Sequence, residues 1–79
     1  MNLVIIAKAI NEEMLRAKAK FPVWPEDLIH AAAIVTEEAG ELLQATLQNQ
    51  YEKSSLDKIQ KEAIQTATMA IRFLENLDY

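Results

Sequence analysis

Apolar residues recur every three or four positions along most of this chain, and that spacing predicts helices rather than strands. The first helix is predicted over residues 2–20. Its apolar stripe consists of Leu3, Ile6, Ile10, Met14, Ala17 and Phe21. Pro22 and Pro25 should end it, because a proline lacks the backbone N–H and forces the preceding residue out of the helical conformation.

Two further helices are predicted after this break. The second should begin at Pro25 and run to about residue 49, with Glu26 and Asp27 favourable beside its positive N-terminal dipole. The third should run from Leu56 to about Leu77, capped by one of the two serines at positions 54 and 55. The expected fold is therefore all-α, with a single helical domain over 1–79.

The composition favours self-association of this domain. The chain has only 79 residues, yet 51% of them are hydrophobic, and it has no cysteine that could form a disulfide or bind zinc. A monomer of this size cannot easily bury so much apolar surface. We therefore expect a three-helix subunit that completes a four-helix-bundle-like core as a homodimer or homotetramer.

Charge and hydropathy argue against two classes of partner. The net charge of −4 disfavours nucleic acid, whose phosphates require clustered lysines and arginines. No apolar run approaches the roughly 20 residues that span a bilayer, so no membrane partner is expected. The first ten residues lack the basic region of a signal peptide, which predicts a cytoplasmic protein.

The second helix carries a strip of carboxylates. At about 100° per residue, Glu37, Glu38 and His30 all fall within about 60° of Glu41. The opposite side of the helix carries a predicted apolar spine made of Leu28, Ala32, Val35, Ala39 and Leu43. Gly40 in the middle of this helix leaves two explanations open, which are close approach of another helix and space beside the carboxylates.

Glu62 on the third helix could join this strip. Together with Glu37, Glu38 and Glu41 it would offer only oxygen ligands, which suits a hard divalent cation such as Mg²⁺ better than zinc. Met69 and Phe73 share the face of Glu62 and could be core, interface or base pocket. The alternative is an ordinary solvated acidic face.

These residues resemble the MazG-type all-α nucleoside triphosphate pyrophosphohydrolases, whose signature is Glu-Glu-x-x-Glu followed by Glu-x-x-Asp. The similarity covers about 24–74 and rests on Glu37-Glu38-Ala39-Gly40-Glu41-Leu42, with Glu62 following. It implies Mg²⁺-dependent cleavage of a nucleoside triphosphate to a monophosphate and pyrophosphate, with Mn²⁺ as an alternative metal. It also implies that Glu38, Glu41 and Glu62 bind metal, while Glu37 holds a further metal or orients the attacking water.

One position departs from the family pattern, since Gln65 stands where the resemblance expects aspartate. Its amide oxygen could still bind the metal, so Gln65 is retained as a candidate ligand, although it adds no charge. The alternative function is a helical binding or assembly module that keeps the fold but has weakened turnover. The base, the sugar and the choice between dimer and tetramer stay open.

Substrate contacts are predicted at Trp24, His30, Lys58 and Lys61. Trp24 could stack on a nucleobase or pack the corner between two helices, and His30 could contact phosphate or be solvated. The remaining cations that could oppose a triphosphate are Arg16, Lys18, Lys20 and Lys53.

Overall fold

The computed structural model describes residues 1–77 and consists, over that range, of three α-helices and no strand. Helix α1 spans Leu3–Lys20, α2 spans Leu28–Glu52 and α3 spans Leu56–Glu75. The all-α prediction is confirmed for these residues, while positions 78 and 79 of the predicted domain lie outside them. None of the three helices combines the length and the apolar character that crossing a membrane requires.

Side-chain caps determine where the helices begin. Asn2 accepts a hydrogen bond from the Ile5 N–H, and Ser55 accepts one from the Asp57 N–H. The prediction that α2 begins at Pro25 is wrong, because Asp27 caps the helix by accepting the His30 N–H at 3.1 Å. Pro25 therefore belongs to the connection between α1 and α2, and α3 ends two residues earlier than predicted.

Helix α3 lies at the centre of the subunit. It packs against both α1 and α2, whereas no Cα atom of α1 lies within 8 Å of a Cα atom of α2 in the described chain. The tightest contacts involve small side chains, since Ala31 and Ala45 of α2 are 2% and 1% exposed and Thr68 of α3 is fully buried. Small residues let two helix backbones approach closely. The space left between α1 and α2, above α3, becomes a cleft.

The apolar spine predicted for α2 is not the face that packs. Leu28 and Leu43 remain 57% and 61% exposed. The buried and half-buried stripe lies elsewhere on the helix and consists of Ala31, Ile34, Glu38, Leu42 and Ala45. Two apolar stripes compete on this helix, and the one with alanines allows the closer contact with α3. As a consequence, Glu38 is carried into the helix interface.

The single chain exposes more surface than a compact protein of its mass. Its accessible surface is 5917 Å², whereas about 4,800 Å² is expected for 8.9 kDa. Much of the excess is apolar and includes the side of α2 that faces away from α3. Large apolar residues exposed along one side of a helix are typical of an interaction surface.

Candidate active-site cleft and carboxylate cluster

A cleft of about 450 Å³ opens between α1 and α2, with α3 as its floor. Every element of the subunit contributes to its wall. The α1 side carries Glu13, Arg16, Ala17 and Lys20, the connection carries Phe21, Val23, Trp24 and Pro25, α2 carries Ile34, Glu37 and Glu38, and α3 carries Gln65, Met69 and Arg72. The cleft thus combines a charged end with an aromatic and apolar end.

Three of the four predicted carboxylates converge. One oxygen from each of Glu38, Glu41 and Glu62 lies within 4.8 Å of the other two. The convergence follows from the packing of α2 on α3, which places the two turns of α2 that bear Glu38 and Glu41 opposite Glu62. Glu37 is exposed and lines the cleft beside this cluster without joining it.

Glu38 is the least well satisfied carboxylate of the cluster. Its Oε2 is buried and has no hydrogen-bond partner among the described residues. Burial raises the pKa of the Glu38 carboxyl above its ordinary value, and the negative charges of Glu41, Glu62, Glu37 and Glu13 raise it further, in that order. A divalent cation would relieve both the repulsion and the missing contact. The donor set, which is entirely carboxylate oxygen, fits Mg²⁺.

Gln65 connects the cluster to α1. In the amide orientation that gives both of its polar atoms a partner, Gln65 donates to Glu62 Oε2 at 3.1 Å and accepts from Arg16 Nη2 at 3.2 Å. The amide therefore orients the Glu62 carboxylate. Its role as a metal ligand stays a prediction.

Arg16 is held by a neighbouring carboxylate at the edge of the cleft. It donates to Glu13 Oε1 from Nε at 3.1 Å and from Nη2 at 2.9 Å, and to Glu13 Oε2 at 2.8 Å. The hydrogen bonds and charge of Glu13 raise the pKa of the Arg16 guanidinium above its usual range. Arg16 is largely exposed, so an incoming anion could compete with Glu13 for it.

Only one of the four predicted substrate residues lines the cleft. Trp24 is half-buried and lines the cleft. His30 is exposed in the first turn of α2, and Lys61 is exposed on α3, and neither lines the cleft. Lys58 donates to Gln48 Oε1 at 2.6 Å and does not line the cleft. Of the other cations, Lys20 lines the cleft, while Lys18 pairs with Glu75 at 3.1 Å.

The sequence reading missed Glu13 and Arg72. Arg72 is only 4% exposed, donates to the Phe21 carbonyl oxygen, and places its Cζ 5.1 Å from the centre of the Trp24 ring. A signal was available, because Arg72 is the only charged residue within the apolar run 69–74. A charged residue in such a run usually lies at an interface or a site.

Comparisons of the chain with models of protein families, with curated proteins and with solved structures found no match.

Proposed function

We propose that the protein is a Mg²⁺-dependent nucleoside triphosphate pyrophosphohydrolase of the MazG type, which converts a surplus or non-standard nucleoside triphosphate to a monophosphate and pyrophosphate in the cytoplasm. The observation that carries the proposal is the convergence of Glu38, Glu41 and Glu62 within 4.8 Å at the edge of a cleft. The cleft also contains two aromatic and three cationic side chains.

The carboxylate cluster has little value for folding. Three carboxylates at this separation repel one another, and an unpartnered buried oxygen adds a desolvation cost of about 1–3 kcal/mol. Such a cluster is typical of a metal site, where the cation offsets both costs. Glu38, Glu41 and Glu62 would hold Mg²⁺, which when bound neutralises phosphate charge and polarises the phosphoanhydride.

The remaining residues of the cleft would position substrate and water. Arg16 and Lys20 present N–H donors to the same space, where they can bind phosphate oxygens. Glu37 is close to the cluster but outside it, so its carboxylate is available to accept a hydrogen bond from the attacking water. Gln65 fixes the rotamer of Glu62 through its amide N–H.

The same observation about Gln65 favours the second candidate, a binding or assembly module with weakened turnover. Both polar atoms of the amide are engaged by Glu62 and Arg16. If these bonds persist with ligand present, one metal ligand of the family pattern is missing. Metal affinity would then be lower than in a site with aspartate at this position.

Self-association is expected whichever of the two candidate functions the protein has. The excess surface of about 1,100 Å² exceeds the roughly 800 Å² that each partner contributes to a standard interface. Gly40 lies on the exposed side of α2, and a Cβ there would meet nothing within 4 Å in this chain. A second subunit packed on this side would complete a four-helix core, in a dimer or a tetramer, and would use the close approach that a glycine permits.

The direct test is pyrophosphate release from a panel of normal and modified nucleoside triphosphates, with Mg²⁺ and with EDTA. We expect release that EDTA abolishes and that Glu38→Gln and Glu62→Gln each reduce at least 100-fold. Glu12→Gln is the matched control, because it removes one exposed carboxylate of α1 that lies outside the cleft. Mn²⁺ should replace Mg²⁺ in the same assay.

Gln65→Asp separates the two candidates. An active wild type would establish the enzyme. A silent wild type with turnover in Gln65→Asp would support the weakened module. Silence in both proteins, with correct helicity by circular dichroism and no binding of Mg²⁺, would refute the pyrophosphohydrolase.

A further inference from the structure

Among residues 1–77, Arg72 is a buried cation that forms no ion pair. Its guanidinium carries five N–H donors, and the hydrogen bond it makes within residues 1–77 goes to the carbonyl of Phe21. No carboxylate in the described part of the chain forms an ion pair with it. Buried charges are normally paired, so a guanidinium that is 4% exposed at the wall of a cleft has donors to offer a ligand.

The surroundings of Arg72 select the kind of ligand. Trp24 lies against the guanidinium, and Met69, Val23 and Ile34 line the same cleft, which gives this end a flat and apolar wall. Glu37 and Glu38 also line the cleft, and their negative charge disfavours an anionic group beside Arg72. A neutral planar ring with hydrogen-bond acceptors on its edge satisfies the guanidinium and the apolar wall together.

The position of Arg72 along α3 suits a ligand whose planar ring lies at the far end of the cleft from the carboxylate cluster. Ten residues separate it from Glu62, which corresponds to about 15 Å along the helix axis. Glu38, one member of the carboxylate cluster, and Arg72 both line the cleft, so the cleft connects the cluster with the guanidinium. A nucleotide with its phosphates at the cluster would therefore extend its base towards Arg72.

We propose that Arg72 determines the base specificity of the cleft, by donating from its guanidinium fork to two neighbouring acceptors on the base edge. Guanine offers such a pair at O6 and N7, and cytosine offers one at O2 and N3. Adenine places an amino donor beside N7, and uracil places an N–H between its two carbonyls. This inference rests on the proposed function only in the placement of the phosphates.

The test uses nucleosides, which have no phosphate and need no metal. Calorimetric titration of the full chain in EDTA would compare guanosine, cytidine, adenosine and uridine. We expect guanosine or cytidine to bind about five- to 150-fold more tightly than adenosine and uridine, the range that a bidentate arginine contact provides. Tighter binding of guanosine would indicate contact with O6 and N7, and tighter binding of cytidine would indicate contact with O2 and N3.

Variants test whether Arg72 itself makes the distinction. Arg72→Lys keeps the charge and a donor for the Phe21 carbonyl but loses the fork, so the preference should disappear while the helical circular dichroism is retained. Lys8→Met, which removes one exposed cation of α1 outside the cleft, should keep the preference. If Arg72→Lys fails to fold, 7-deazaguanosine and 3-deazacytidine, which each lack one acceptor, should bind the wild type as weakly as adenosine.

Several results would overturn the inference. These are equal affinity for the four nucleosides, no binding of any of them, a preference that survives in Arg72→Lys, and competition of the nucleoside by inorganic phosphate at Arg72. Absence of pyrophosphate release would count against the proposed function alone, since a nucleoside preference measured in EDTA does not depend on turnover.

Discussion

Neutralising Glu38 should stabilise the metal-free protein and remove its response to Mg²⁺. Glu38 takes part in two of the three repulsive pairs of the cluster, each at no more than 4.8 Å. At that distance one pair costs about 0.9 kcal/mol in water and about 3.5 kcal/mol at an effective dielectric constant of 20. Because Glu41 is exposed, the value for water applies better. Removing both pairs should therefore raise the free energy of unfolding of Glu38→Gln by about 1–2 kcal/mol.

The pH dependence follows from the raised pKa of Glu38. The folded protein holds the Glu38 proton more tightly than the unfolded chain, in which the carboxyl titrates near its ordinary value of 4.5. Between that value and the raised pKa, the folded state binds more protons, so stability falls as pH rises through this window. The full penalty is present above the raised pKa of Glu38, and Glu38→Gln should remove this contribution.

Thermal unfolding at fixed protein concentration provides the assay. In EDTA at pH 7.5, Glu38→Gln should melt about 5–15 °C above the wild type, since 1 kcal/mol corresponds to roughly 4–8 °C for a domain of this size. At a Mg²⁺ concentration of about 100 times Kd the wild type should gain about 2.7 kcal/mol, and the variant should gain little. Glu12→Gln is the control for the change in net charge.

Two results would refute this reasoning. The first is a Glu38→Gln protein that melts below the wild type in EDTA, which would mean that the carboxylate is stabilising. The second is an equal Mg²⁺ response in both proteins, which would place any bound cation away from Glu38.

Three further substitutions test the fold and the outer face of α2. Gly40→Ala should raise the free energy of unfolding of the monomer by about 1 kcal/mol, because its Cβ meets nothing in this chain, and should weaken association in sedimentation equilibrium; tighter association would contradict an interface at Gly40. Lys53→Gly should raise the melting temperature by about 4 °C, because Lys53 ends α2 at φ 58°, and an unchanged melting temperature would show that the lysine is unstrained there. Ala45→Leu should cost about 1–3 kcal/mol in chemical denaturation, since Ala45 is 1% exposed against α3, whereas Ala39→Leu on the exposed side should cost much less; equal losses would refute the packing.

Local signals in the sequence were sufficient for the number of helices. Pro22 and Pro25 separate α1 from α2, and Ser55 begins α3, because these residues act through their own backbone or a nearby N–H. The convergence of Glu38, Glu41 and Glu62 was also predictable, since residues three apart share a helix face. The convergence also requires that Glu62 on α3 faces the two carboxylates of α2.

The packing face of α2 was not predictable from periodicity. Leu28 and Leu43 form a more hydrophobic stripe than Ala31 and Ala45, yet the alanines are buried. Helical period identifies both stripes equally well, and the choice depends on how closely α3 can approach. Arg72 is a partial exception, because its place in the apolar run 69–74 indicates burial, whereas its position beside Trp24 is seen only in the tertiary structure.

Two charged groups that make no ion pair within the described chain, Glu38 and Arg72, lie in the same cleft without neutralising each other. The Glu38 carboxylate and the Arg72 guanidinium have opposite charge, and an ion pair between them would relieve both. They are instead held apart, with Glu38 in the carboxylate cluster and Arg72 against Trp24 and Phe21. A sequence under selection for stability alone would have paired or replaced them, since local violations of this kind concentrate at functional sites. The ligand that compensates both must bring a cation to one end of the cleft and hydrogen-bond acceptors to the other, and a magnesium-bound nucleotide has that polarity.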